Sequence, residues 1–248
     1  MGSHSRDTAD DGGGAGGDYK RINMIFKDLS FGRIINGDFR EYGDLPRDGF
    51  IVSDPPYNQN YHYNKYLDNI DDMDYYRLLE SAFGKNRCVA VSYPELAINI
   101  LSKIRDCNEA VSWVYNSNTA KQSRLITWWG CRPDFKKIGQ PYKNPKDKRI
   151  SARIAAGKSA RLYDWWNINQ VKNVSKKDNP HPCPMPLEVM KRIILITTNP
   201  GDLVIDPFMG SGTTGLACVI TGRRFLGFEI DPIYFDTAEK RLSIAQPQ

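Results

Sequence analysis

Short apolar runs alternate with stretches of helical spacing along most of this chain. Residues 49–53 (GFIVS) form an apolar run stopped by two prolines, which predicts a buried strand. Residues 74–83 carry helical spacing with Asp in the first turn, residues 87–92 (RCVAVS) predict a second buried strand, 95–105 a second helix and 110–115 a third strand. The pattern breaks down after Asn116, where Trp128, Trp129, Trp165 and Trp166 are interleaved with Lys, Arg, Asn and Pro. It resumes as a helix over 186–198, a strand over 202–205, a helix over 213–221, a strand over 225–229 and a helix over 232–244. Strands that alternate with helices predict an α/β fold with a largely parallel sheet covered on both faces.

Composition divides the chain into four. Residues 1–18 contain GGGAGG and almost no apolar side chains, too few to offset chain entropy, and are expected to be disordered. Residues 19–115 and 180–248 carry the regular pattern, and 116–179 separate them. Net charge is only +5, but residues 119–179 hold fifteen Lys or Arg against four Asp, which leaves the rest of the chain at −6. One basic segment on a mildly acidic chain suits a polyanion partner, and suits a solvated lysine-rich loop about equally. The five cysteines are scattered without a CxxC pair, so buried reduced thiols are expected rather than a disulfide framework or a zinc site. With no apolar run near the roughly 20 residues that span a bilayer, no membrane association and a cytoplasmic location are expected.

Two segments carry candidate chemistry. Asp206-Pro-Phe-Met-Gly-Ser-Gly-Thr-Thr214 follows a predicted strand and opens a predicted helix. Gly210 and Gly212 permit a tight turn and close approach of a ligand, and the helix behind them aims free amides into the crevice at the strand's end. The next strand ends at Glu229, where a carboxylate can accept hydrogen bonds from ribose hydroxyls. An ordinary strand–helix turn with a solvated Glu fits the same residues. The second segment, Asp54-Pro-Pro-Tyr57, is a proline-stiffened strand end with unpaired carbonyls, a carboxylate and a flat aromatic face. These groups are what methylation of a nucleobase amine needs: acceptors for two N–H bonds that free the nitrogen lone pair, and a face to hold a base taken out of its stack. A capping Asp at a stiffened turn is the plainer alternative.

Both segments resemble motifs of the amino-group DNA methyltransferases, and their order, catalytic before cofactor with a basic segment between, is that of the permuted β group. The resemblance covers about residues 34–244 apart from the basic segment. It implies a Rossmann-like, S-adenosylmethionine-dependent sheet of seven strands with one reversed, a catalytic half over 19–115, a target-recognition region over 116–179 and a cofactor half over 180–248. It implies that Asp54 and the Pro55 carbonyl, stiffened by Pro56, bind an adenine amine and that Tyr57 stacks on the flipped adenine. The cofactor's methionine end would be lined by Asp54, Asp206, Pro207, Phe208, Gly210, Ser211, Gly212 and Thr213, its ribose held by Glu229 beside Ile230, and its adenine approached by Asp38 of Asn36-Gly-Asp38. His181 and Pro182 open a proline-rich motif expected beside the methionine moiety, where Met185 stands in place of the family's frequent Lys. Cys183 is read as structural. No metal is implied.

Within the basic segment, Lys121, Arg124, Arg132, Lys136, Lys137, Lys143, Lys146, Lys148, Arg149 and Arg153 are the expected contacts to duplex DNA phosphates. At least half of its four tryptophans are expected in a small core, and part of it to order only on DNA. The implied activity is adenine-N6 methylation. Cytosine-N4 methylation, whose enzymes usually carry Ser or Thr at the place of Asp54, an RNA or protein amide methyltransferase, which typically shows Asn there, and a catalytically silent DNA-binding scaffold are the alternatives. The resemblance also allows a homodimer and a companion restriction endonuclease.

Overall fold

The computed structural model describes residues 24–171 and 184–246. Residues 1–18 and the His181-Pro182-Cys183 motif therefore lie outside the described residues. The strands are β1 (Ile25–Leu29), β2 (Gly32–Asn36), β3 (Phe50–Ser53), β4 (Arg87–Ser92), β5 (Cys107–Val114), β6 (Ser123–Trp129), β7 (Gly139–Gln140), β8 (Ala160–Arg161), β9 (Trp165–Asn167), β10 (Leu203–Asp206) and β11 (Arg224–Glu229). The helices are α1 (Asp72–Phe83), α2 (Pro94–Leu96), α3 (Ser102–Ile104), α4 (Lys148–Ala155), α5 (Leu187–Thr197), α6 (Thr213–Ile220) and α7 (Pro232–Ser243), and a π-helical stretch, Ala97–Leu101, joins α2 to α3.

Nine strands form one sheet in the order β1-β2-β11-β10-β3-β4-β6-β5-β9. From β2 to β5 these are the seven strands expected, with β6 antiparallel to both its neighbours. Two edge strands extend the expected seven: β1, a second reversed strand, and β9. Successive residues of the inner strands point into two separate cores, as period-two geometry requires. Val52, Trp128, Val204 and Phe225 enter the core covered by α5, α6 and α7. Ile51, Trp129, Ile205 and Leu226 enter the one covered by α1 and the helical stretch after β4. Both faces are thus apolar, and the strands read as unbroken hydrophobic runs.

The basic segment needs correcting at its start. Residues 123–129, placed by the sequence reading in the irregular recognition region, form β6, the reversed strand inside the sheet. Trp128, Trp129 and Trp166 are buried in the two main cores, whereas Trp165 is 49% exposed. The expected thiol burial holds for Cys88 and Cys218, but Cys131 is half-buried and Cys107 exposed. Among the described residues no helix is long and apolar enough to cross a membrane.

The tryptophans give a direct check. Trp128 is fully buried and its Nε1 donates to the Thr197 hydroxyl at 2.8 Å. Trp128→Ala is expected to cost about 3–5 kcal/mol, and Trp165→Ala less than about 0.5 kcal/mol, measured by urea unfolding. Equal losses would contradict this placement of the two rings.

Candidate active site

At the middle of the sheet, β10 and β3 lie side by side and their chains leave in opposite directions. β10 continues through α6 in one core to β11, and β3 through α1 in the other core to β4. The strand ends diverge there into a crevice, the usual ligand position of an open α/β sheet. A cavity of about 280 Å³ occupies it, lined by Asp54, Tyr57, Asp206, Phe208, Gly210 and Glu229 among others.

One wall is the glycine turn. Gly210 and Gly212 take φ of 52° and 80°, a left-handed backbone that residues with a Cβ rarely adopt. Gly212 caps α6, and a Cβ on it would stand 3.0 Å from that of Ala238. The Asp206 carboxylate accepts the Ser53 hydroxyl from β3, the Thr214 hydroxyl at 2.5 Å and the Phe208 amide at 3.0 Å. Burial pushes its pKa up to about 6 against those donors. Glu229, at the end of β11, accepts the amides of Gly210 at 2.9 Å and Asp231 at 2.8 Å. Its pKa is pushed up to about 7, again mainly by burial. Glu229 therefore braces the turn and borders the cavity at once. Asp38 caps a 3-10 turn after β2, where it is ion-paired with Arg40 at 2.5 Å.

The opposite wall is the tetrapeptide after β3. Tyr57 donates its hydroxyl to Asp54 Oδ1, and Arg124 Nη1 lies 3.1 Å from Asp54 Oδ2. Burial raises the Asp54 carboxyl above the usual range, and the Arg124 charge opposes that rise. Tyr75 of α1 donates to the Pro56 carbonyl at 2.6 Å, which pins the tetrapeptide to the helix. The Tyr57 ring lies 4.9 Å from that of Tyr93, the residue after β4.

The cavity thus gathers Asp38, Asp54, Pro55, Pro56, Tyr57, Asp206, Pro207, Phe208, Gly210, Ser211, Thr213, Glu229 and Ile230 from the sequence reading. Gly212 stands behind the wall, and His181 and Pro182 lie outside the described residues. The lining also takes in Met185 of the proline-rich motif, and Tyr66, Tyr93 and Asp231, which were not among the expected site residues. Arg124, expected on DNA phosphates, is instead 6% exposed and turned onto Asp54, which corrects that assignment. Its only sequence signal is a charge at the start of an apolar run.

The other basic residues stay on the surface. Lys136, Lys143, Lys146, Lys148, Arg149 and Arg153 are exposed, and α4 has no buried residue at all. Lys137 is tied to the end of α5 through the Thr198 carbonyl and Asn199 side chain, both at 2.9 Å. Arg132 pairs loosely with Glu109 at 3.8 Å, and Lys121 pairs with Glu95 at 3.5 Å.

Residues 99–240 match a family model described as DNA methylase. Among curated proteins, the chain is 41% identical over 80 residues to the DNA adenine methyltransferase YhdJ of Escherichia coli, covering 32% of this chain and 27% of that protein. It is 26% identical over 216 residues to the type II methyltransferase M.HpaI of Haemophilus parainfluenzae, covering 77% and 67% respectively. The matched stretches therefore span from about a quarter to two thirds of these relatives' lengths. Among solved structures, that of M1.HpyAVI superposes with a TM-score of 0.54 at 25% identity, covering 85% of this chain and 98% of that one. The cytosine-N4-specific PvuII DNA methyltransferase superposes with a TM-score of 0.61 at 18% identity, covering 86% of each, which is a likeness of fold alone. The matched family region takes in the reversed strand β6, the glycine turn and Glu229, over more than half of the sequence, and the chain belongs to the N6/N4 DNA methylase family.

Proposed function

We propose that the protein transfers a methyl group from S-adenosylmethionine to the N6 amine of an adenine flipped out of duplex DNA, as a permuted amino-methyltransferase of the Asp-Pro-Pro-Tyr type. The observation that carries this reading is the meeting of Asp54 and the glycine turn in one cavity at the switch point of the sheet. The relative named a DNA adenine methyltransferase and the solved complex of M1.HpyAVI with the cofactor, 23% identical to this chain with a TM-score of 0.55, support the base and the cofactor. Asp54 favours adenine over cytosine N4.

The residues present fit such a cofactor. Asp231 Oδ2 and the Tyr66 hydroxyl border the cavity, are buried and have no hydrogen-bond partner among the described residues. Buried polar atoms in that condition call for a polar ligand. Glu229 spends one lone pair per oxygen on backbone amides, which leaves others for ribose hydroxyls. Asp206, Phe208 and Gly210 border the same space. The bound cofactor would supply an electrophilic methyl group whose departure leaves a neutral thioether.

The chain's part in the chemistry is to prepare the amine. An adenine amine is a poor nucleophile because its lone pair is shared with the ring. Asp54 and the Pro55 carbonyl would each accept one N–H bond and free that lone pair, with rate coming from alignment and fixed dipoles. As the nitrogen takes the methyl it sheds one proton, and the ionised Asp54 carboxylate is the acceptor beside it. The Tyr57 face would hold the flipped base, whose unstacking costs a few kcal/mol. Exposed cations from Lys136 to Arg153 would hold the phosphates outside, so binding would weaken steeply with salt.

Asp54→Ala is expected to abolish transfer and keep cofactor binding. The check is nucleoside mass spectrometry of unmethylated DNA incubated with protein and cofactor; unchanged N6-methyladenine in the variant would refute the mechanism, and N4-methylcytosine from the wild type would move the target base. Cofactor affinity should also fall as pH drops below about 7. Glu229, with its pKa pushed up to about 7, is a better ribose acceptor when ionised. Titration calorimetry between pH 6 and 8 should show this slope in the wild type, with a weaker and flatter profile in Glu229→Gln. The loss of one charged acceptor corresponds to about a tenfold or greater rise in Kd. An identical profile in both proteins would remove Glu229 from the binding site.

A further inference from the structure

We infer that Arg124 is a positioning residue for this reaction: its buried guanidinium holds Asp54 ionised and oriented, so that the carboxylate can accept the amine's hydrogen bond and then its proton. The inference rests on the proposed methyl transfer and deepens it. β6 runs against β4, and its pairing sets Leu125 opposite Ser92, so Arg124 emerges at the edge where β3, β10 and β11 end. Its side chain is 7% exposed and meets Asp54 at 3.1 Å, while Nη1 also touches the Met185 sulfur at 3.6 Å. The guanidinium carbon lies 5.2 Å from the ring centroids of Tyr57 and Tyr93 and 5.5 Å from that of Trp113. The cation is therefore enclosed by aromatic faces with one carboxylate as its counter-charge.

Such a placement is costly for the fold alone. Its Nε is buried without a hydrogen-bond partner among the described residues, so the guanidinium fork is incompletely used. A buried ion pair of this kind is commonly no more stable than apolar side chains of the same volume. Its benefit lies in the chemistry of Asp54. A carboxyl left alone in this cavity would favour its neutral form, and a neutral carboxyl donates where it needs to accept. Each Asp54 oxygen already accepts one bond, from Tyr57 or from Arg124, and keeps a further lone pair for the amine. The groups that face this pair are Tyr57 beside it, Tyr75 of α1, Tyr93 after β4, Tyr115 after β5 and Asp206 of β10, with Lys121 lying over the Tyr93 ring. Among them Arg124 is the cation in contact with Asp54.

The test compares Arg124→Met and Arg124→Lys with the wild type in two measurements. The first is the pH profile of single-turnover methylation at saturating DNA and cofactor. Arg124→Met should lose about 100-fold in rate at pH 7, with its acid limb displaced upward by more than one pH unit and the rate recovering at high pH. Arg124→Lys should restore most of the rate, and KM for DNA and its salt dependence should stay unchanged in both. A wild-type limb and rate in folded Arg124→Met would overturn the inference, and so would a raised KM with a shallower salt slope, which belongs to a phosphate contact. Cofactor calorimetry reports folding. The second measurement needs no activity: the carbon-13 carboxyl signal of Asp54, identified by its absence from Asp54→Asn, is followed against pH in the wild type. Ionised Asp54 at pH 7 is the expected result, and a protonated Asp54 there would overturn the inference even if Arg124→Met does not fold. Should the wild type methylate no DNA, the proposed function falls, while this titration still decides the pairing.

Discussion

Ser53 and Asp206 stand at the ends of adjacent parallel strands, 153 positions apart in the chain, and the Ser53 hydroxyl donates to the Asp206 carboxylate. The site depends on that junction. β3 and β10 must pair in register for Asp54 and the glycine turn to face each other, since the residue after Ser53 is Asp54 and the turn begins at Asp206. Burial on both faces fixes this register, because a slip of one residue would exchange Ile51 with Val52 and Ile205 with Val204 between two differently shaped cores. The packing of α1 on one face and α5 to α7 on the other therefore sets the geometry of the cavity, although few of those helical residues touch it.

Much of this was legible in the sequence because the relevant residues lie at strand ends. The run GFIVS stops at proline, and the run ending at Asp206 stops at a turn rich in glycine, so each announces both a strand and the side chain that follows it. Glu229 is legible for the same reason. β6 was not. Its sequence, SRLITWW, is apolar on both faces and lacks alternation, and it sits among lysines and arginines that suggest a solvated loop. β1 was invisible for another reason: its sequence, IFKDL, puts a charged residue on each face among the apolar ones, so no alternation marks it. The role of Arg124 follows from neither pattern. Its partner Asp54 is 70 positions away, and a buried cation differs from a surface one only through a contact that the fold creates.

The basic segment also divides once β6 is taken out of it. Phe135, Ile138, Leu162 and Ile168 pack against the same core as α5 to α7, and Trp166 lies inside it. The region is therefore anchored on the sheet at several points, with α4 and its lysines and arginines standing outward between them. The packing of its neighbours on the core positions α4, although no residue of the helix is itself buried. Asp147 caps it by accepting the amides of Arg149 and Ile150, so its start is fixed by local hydrogen bonds rather than by packing.

Asp54, Asp206 and Glu229, three of the carboxylates that line the cavity, are held by different means, and the difference matches the part proposed for each. Asp206 and Glu229 are stabilised by hydroxyls and backbone amides, neutral donors that leave their negative charge uncompensated. Their raised pKa values record that burial outweighs those donors. Burial raises the Asp54 carboxyl as well, but Asp54 alone of the three has a cation in contact to oppose that rise. A ligand bearing positive charge, as the proposed sulfonium cofactor does, would find uncompensated carboxylates on its own side of the cavity and would favour their ionised forms on binding. In the proposed transfer, the target side needs its charge until the amine's proton is taken up, and a fixed counter-ion maintains a buried carboxylate in that form better than a neutral donor does. The sheet accordingly brings Arg124 in on its reversed strand, the inner strand whose chain enters the sheet at the edge where the site lies.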